Sequence, residues 1–262
     1  MNYQEEAKQA RIKVLDLIFR AQTSHIGSNF SCIDIMTVLF DKIDLDKDKF
    51  ILSKGWAAAS LYYFLWRKGR ITEEELNSYC QEGSKFIGLA EPIISDIPFA
   101  GGSMGFGLPA AVGYALSKKL KGEEGKVYCL MSDGELNCGT VWEAASIASH
   151  HKLDNLVVFI DNNGFQAMGK TRDILEISNL GSKLELFGCD WKVIDGHNHS
   201  EIEDILGLIP KLIEKKNKWA PTVLIAETIK GKGVNFMEGN NLWHYKAPNK
   251  DEYELALKEL KG

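Results

Sequence analysis

The feature that most constrains this chain is a set of four β-leaning runs from residue 126 onward. They read KVYCLM (126–131), NLVVFI (155–160), WKVID (191–195) and TVLIAET (222–228). A run such as VVFI shows no polar alternation, so neither of its faces suits water. Strands of that kind belong in a parallel sheet covered by helices on both sides. Helix-period stretches separate the runs. The last such stretch is expected over residues 200–216, where Ser200 and Glu203 read as a capping box. Upstream, FILS (50–53) reads as one more short buried strand. The expected fold is a doubly wound α/β domain, a parallel sheet with helices on both faces. With 262 residues, 45% of them apolar, the chain can bury a substantial core. No linker or internal repeat divides it, so residues 1–262 are expected to form a single domain.

The first half reads as helices. The first twenty residues carry a broad apolar stripe, QTSHIGSNFS interrupts it, and IDIMTVLF resumes it. WAAASLYYFLWRKG is expected to stop at Gly69, and Thr72 with Glu75 predicts a capped start for the next helix. Residues 81–107 are irregular and rich in glycine. They are too apolar for disorder, and long ordered loops of that kind are usually functional.

Net charge is −5 without a long basic block, which argues against nucleic acid as a partner. No run of eighteen apolar residues exists, so no membrane span is expected. Five cysteines at scattered positions match neither a zinc site nor a disulfide framework. The N-terminus does not read as a secretory signal, and a reduced, cytoplasmic setting is expected.

Ligands of open parallel sheets sit beyond the carboxyl ends of the strands. SDGELN (132–137) follows the first run, and DNNG (161–164) closes the second. Asp133 and the Asn162–Asn163 pair therefore reach one crevice if those strands are neighbours. Carboxylate, amide and carbonyl oxygens are hard ligands. They suit Mg²⁺ or Ca²⁺, and Mg²⁺ commonly shares its shell with substrate phosphates. The same residues also serve as simple turn caps, and composition alone leaves both readings open. His150 and His151 are explained by a helix C-terminus. His197 and His199 read mainly as loop residues, and Lys230 and Lys232 of KGKG as either phosphate contacts or a solvated loop.

SDG at 132–134 followed by DNN at 161–163 resembles the GDG…NN cofactor motif of thiamin-diphosphate enzymes. The wider sequence resembles the N-terminal, diphosphate-binding half of the transketolases, above all the small N-terminal subunit of split forms. The likeness runs from AQTSHIG (21–27) through ILSKG (51–55) to ETIKGKGVNFMEGNNLWH (227–244). It implies thiamin diphosphate and Mg²⁺ as cofactors, with Ca²⁺ or Mn²⁺ as substitutes. The metal would be held by Asp133, the Asn163 side chain and the main-chain oxygen of Phe165. Gly134, with Glu135 beside it, would meet the diphosphate. Gly102, Ser103 and Met104 of GGSMGFG would touch the aminopyrimidine side, and His25 and His244 would act near the reacting atoms. The implied reaction moves a two-carbon ketol unit from a ketose to an aldose, in carbohydrate metabolism. The glutamate that activates the aminopyrimidine is expected on a C-terminal, pyrimidine-binding partner subunit, in an α₂β₂ assembly.

The chain also departs from the family pattern. Trp56 replaces the histidine of SKGHAS, Leu89 stands where a GHP histidine is expected, and Asn241 replaces a late histidine. Ser132 replaces the first glycine of GDG, and Cys138 replaces a glutamate. The sugar or sugar-phosphate end is thus less well matched than the cofactor end. Another thiamin-diphosphate enzyme, forming C–C bonds or decarboxylating 2-oxo acids, and a non-catalytic relative remain the alternatives.

Overall fold

A computed structural model describes residues 1–216 and 220–262, with side chains over 1–209 and 220–262. In chain order the elements are α1 (Tyr3–Ala21), α2 (Ile26–Lys42), β1 (Lys49–Leu52), α3 (Ala58–Arg67), α4 (Glu73–Asn77), α5 (Gly107–Lys121), β2 (Val127–Ser132), α6 (Gly139–His150), β3 (Leu156–Asn162), α7 (Thr171–Leu175), α8 (Leu180–Leu186), β4 (Asp190–Asp195), α9 (His199–Lys216), β5 (Thr222–Glu227) and α10 (Lys250–Lys261). The five strands form one parallel sheet in the order β1-β2-β3-β5-β4.

Strand geometry divides the apolar runs between two cores, because successive side chains point to opposite faces. Phe50, Leu52, Tyr128, Leu130, Val157, Phe159, Leu224 and Ala226 meet helices α1, α2 and α3 on one face. Ile51, Val127, Cys129, Met131, Leu156, Val158, Ile160 and Val223 meet α5 and α6 on the other. The parallel, doubly covered sheet expected from the sequence is the one observed. β4 forms as expected but is not covered on both faces. It lies at the sheet edge and exposes Trp191 and Val193.

Three local expectations change or sharpen. Helix α2 begins at Ile26, so IGSNFS is helical and only residues 22–25 interrupt the chain. Burial overrides the weak propensity of its small polar residues. Asn29 Oδ1, for example, accepts from Ser60 N at 2.9 Å. The Ser200 capping box is not formed. Asn198 takes the role, accepting from Glu201 N at 3.1 Å, because α9 starts at His199. The Thr72–Glu75 box is present.

The 81–106 segment has no helix or strand, yet it is anchored. Phe86, Ala90 and Ile97 are buried, and Gly101 N donates to Ala90 O at 3.1 Å. Its return passes so close to Gly55 that a Cβ there would lie 2.4 Å from Gly101 O. Two glycines make that crossing possible, and it brings the GGSMG loop over the ends of β1 and β2.

Candidate functional site

The carboxyl ends of β2 and β3 are level, with Ser132 paired to Asp161. SDGELN and DNNG therefore emerge side by side. Asp133 opens a 3₁₀ turn, and its carboxylate is buried. It accepts from Gly134 N at 3.0 Å, Gly164 N at 3.1 Å and Thr171 Oγ1 at 2.7 Å. The Gly164 bond joins the two clusters directly. Asn163 Oδ1 accepts from Phe165 N at 3.0 Å, which folds the second cluster into a tight Asx turn.

A cleft of about 560 Å³ opens above these turns. Gly134, Glu135, Asn163, Phe165 and Gln166 line it together with His25, Trp56 and His244. Gly102 and Met104 line its side, whereas Ser103 points away, exposed. Asp133 faces a smaller cavity of about 410 Å³ behind the turn. Its buried carboxyl is pushed up to about 6, chiefly by burial, with Asp161 adding to the effect. A cation beside it would remove that penalty. Among the described residues, no group of three His, Cys, Asp or Glu side chains gathers to hold a metal. The set expected from the sequence is instead one carboxylate (Asp133), one amide (Asn163) and one carbonyl (Phe165). These are hard oxygen donors of the kind that leave room for a phosphate-bound Mg²⁺. Gly134 is a cradle of the right kind, since a Cβ there would lie 2.9 Å from Gln166 Cγ.

Glu135 is buried beneath the cleft and is held by four donors. Ser132 N lies at 2.8 Å, Gly105 N at 3.1 Å and Ser132 Oγ at 3.2 Å, and Ser53 Oγ completes the set. It pins the glycine loop to the ends of β1 and β2. Beside it, Lys54 pairs with Asp161, and Ser31 donates to the same carboxylate at 2.6 Å. The carboxylate at 161 and the ammonium at 54 are both buried.

His25 sits in the left-handed region (φ 73°) just before α2. Its ring stacks on Trp56 (5.0 Å, 14°) and meets His244 edge-on at 4.7 Å. Ser24 Oγ lies 2.6 Å from His25 Nδ1. Lys230, buried, donates to His244 Nδ1 at 2.7 Å and to Asn241 Oδ1 at 3.0 Å. The proton of neutral His244 therefore resides on Nε2. Burial, then the Lys230 charge, lowers His25 to about 4 and His244 to about 3. Both imidazoles are neutral hydrogen-bonding groups at physiological pH.

The family model for the thiamine diphosphate binding domain of transketolase matches residues 3–261. The chain belongs to the transketolase family. It is 38% identical over 271 residues to one of the subunits of the apulose-4-phosphate transketolase of Actinobacillus succinogenes, covering 98% of this chain and 95% of that one. The 6-deoxy-6-sulfo-D-fructose transketolase subunit SqwG of a Clostridium species is 30% identical, with 99% and 96% covered. Human transketolase is 33% identical, but the match spans 98% of this chain and only 41% of that protein. Among solved structures, transketolase from Campylobacter jejuni superposes with a TM-score of 0.91 at 29% identity, covering all of this chain and 43% of that one. In extent the chain thus matches the short subunits of divided transketolases. It is a transferase subunit of transketolase type carrying a thiamine diphosphate-binding domain.

Within this transketolase domain, the sequence-predicted residues line one cleft, except that Ser103 is exposed outside it and Asp133 lies behind the Gly134 turn, on the smaller cavity. The departures divide. Trp56 does line the cleft and is 45% exposed. Leu89 lies outside the cleft lining. Its side chain backs the loop at Gly102, and its carbonyl accepts from Tyr62 OH at 3.0 Å. Asn241 ties Lys230 to Ala167 O, which Asn241 Nδ2 reaches at 2.9 Å. Sequence reasoning did not find Lys54 or Gln166 as site residues, and it left Lys230 between a phosphate contact and a solvated loop. The only signal for the two lysines was their place in SKG and KGKG.

Proposed function

We propose that this chain is the thiamin diphosphate- and Mg²⁺-binding subunit of a two-chain transketolase-type enzyme. It transfers a two-carbon ketol unit from a ketose donor to an aldose acceptor. The observation that carries this reading is the joining of the two strand-end clusters by the Gly164 N to Asp133 bond, behind the turns whose Gly134, Asn163 and Phe165 line the cleft together with His25 and His244.

In this reading Asp133, Asn163 and the Phe165 carbonyl hold the metal, with Ca²⁺ or Mn²⁺ as substitutes. Gly134 lets the backbone approach the diphosphate, and Gly102 and Met104 wall the aminopyrimidine side. Bound there, thiamin diphosphate supplies the carbanion-stabilising centre. This chain's residues supply position and hydrogen bonds. His244 is oriented by Lys230 to present Nε2–H as a donor to a substrate oxygen. His25, neutral and clamped between Ser24 and Trp56, offers a second such group on the same side. The indole of Trp56 puts an apolar face where a hydroxyl would otherwise find a partner. It favours a donor other than the common ketose phosphates. The substrates named for the two short relatives, an apulose phosphate and a sulfofructose, are the classes to try first.

Met104, Phe106, Met168 and Tyr245 expose apolar surface around the cleft mouth. A pyrimidine-binding partner subunit would cover them and bring the activating glutamate, in an α₂β₂ assembly within the cytoplasm. The test is a donor screen with both subunits, thiamin diphosphate and Mg²⁺. It includes apulose 4-phosphate, 6-deoxy-6-sulfofructose, xylulose 5-phosphate and unphosphorylated ketoses. Ketol transfer from at least one donor supports the reading. Release of CO₂ from a 2-oxo acid with no transfer from any ketose would replace it.

A further inference from the structure

One polar group in the cleft has no role so far. Gln166 follows Phe165 in the turn after β3, and its backbone N donates to Gly169 O at 2.8 Å. Its side chain lines the cleft and lies across Gly134, with Cγ and Cδ 2.9 and 3.2 Å from where a Cβ of Gly134 would stand. The Nε2 atom is shielded from solvent and has no hydrogen-bond partner. Buried donors are nearly always satisfied, and an unsatisfied one costs free energy. In a side chain that lines a binding cleft, such a donor is free to serve a ligand acceptor.

The neighbours identify the kind of acceptor. Gly134 is the glycine after the Asp133 carboxylate, and Met104 Cε lies 3.4 Å from the same Cβ position. The amide therefore lies beside the Gly134 turn, next to the Asp133 cluster. An amide N–H complements a phosphoryl oxygen without adding charge beside the buried Asp133 and Glu135 carboxylates. We propose that Gln166 is a further binding residue of this site, its side-chain amide donating to an oxygen of the cofactor diphosphate. This rests on the reading of the cleft given above.

The test uses the full chain assembled with its pyrimidine-binding partner, titrated calorimetrically with thiamin diphosphate in the presence of Mg²⁺. Gln166→Met keeps the length of the side chain and removes the donor. Gln166→Glu replaces it with an anion facing the diphosphate. We expect roughly ten- to hundred-fold weaker binding for Gln166→Met, the range for losing a hydrogen bond to a charged group. Gln166→Glu should be weaker still, and both should melt like the wild type without cofactor. Wild-type affinity in Gln166→Met overturns the proposal, and so does a loss confined to the KM for the donor sugar. Failure of the wild-type assembly to bind thiamin diphosphate at all would instead overturn the functional reading beneath it.

Discussion

Replacing Asp34 by asparagine should unfasten the fold at a point away from the cleft. Asp34 on α2 is 4% exposed, and its carboxylate meets four donors. Arg11 of α1 reaches it with Nη1 at 3.2 Å and Nη2 at 2.5 Å, His197 with Nδ1 at 2.7 Å and His199 with Nε2 at 2.9 Å. His197 Nε2 accepts from Ile229 N at 2.8 Å, which fixes its proton on Nδ1 and ties the hub to the KGKG segment. Asparagine has the same shape but only one acceptor oxygen, so its NH₂ must face a donor. The guanidinium of Arg11, itself 7% exposed, then lacks its counter-charge. Removing one partner of a buried pair costs about 3–5 kcal/mol, and the retained carbonyl argues for the lower end. For a chain of this size that is a fall in Tm of roughly 10 °C. The pH dependence has a definite sign. Burial alone would raise the Asp34 carboxyl, but the Arg11 charge and the two histidine donors outweigh it and hold it well below the usual carboxylate range. Its stabilisation is therefore complete above the ordinary carboxylate pKa of about 4 and is lost only as pH falls through the lower folded value. Thermal melts of wild type and Asp34→Asn should differ by a constant amount from pH 8 to about pH 5, and converge in stronger acid. A difference of under 2 °C at pH 7 would refute the reasoning.

Asp133→Ala should abolish Mg²⁺-dependent thiamin diphosphate binding in a chain that still folds, with a lower melting temperature because three donors lose their acceptor; unchanged calorimetric affinity would remove Asp133 from the metal site. Trp56→His should raise kcat/KM for a common ketose phosphate relative to the natural donor. A lost hydroxyl partner costs roughly 1–3 kcal/mol when buried, so the ratio should move by about five- to hundred-fold. Efficient use of xylulose 5-phosphate by the unmodified enzyme, with Trp56→His only impairing it, would show that the indole does not set donor choice.

The sheet was legible because both-face apolar runs have few other uses. NLVVFI and TVLIAET sit in β3 and β5 with every residue from Val157 to Ile160 and from Val223 to Ala226 buried. The strand-end clusters were legible for the same reason, since the strand ends fix where SDG and DNN emerge. Other features depended on contacts that local sequence does not encode. IGSNFS looked like a break because its residues are poor helix formers, and its helix is held by burial and by partners on α3. WKVID reads as a strand, but its place at the sheet edge is a matter of topology. Leu89 was aligned to a histidine by counting along an irregular loop, and only the path of that loop places it behind Gly102. His197 and His199 read as loop residues, and their joint grip on Asp34 spans more than 160 positions.

The most direct test of the account is reconstitution. The purified chain and its pyrimidine-binding partner are each assayed alone, then mixed with thiamin diphosphate, Mg²⁺, a ketose donor and an aldose acceptor. The two-carbon-extended product is measured by mass. The account predicts no transfer by either chain alone and turnover on mixing, saturating at one partner per copy of this chain. Turnover by this chain alone would contradict it.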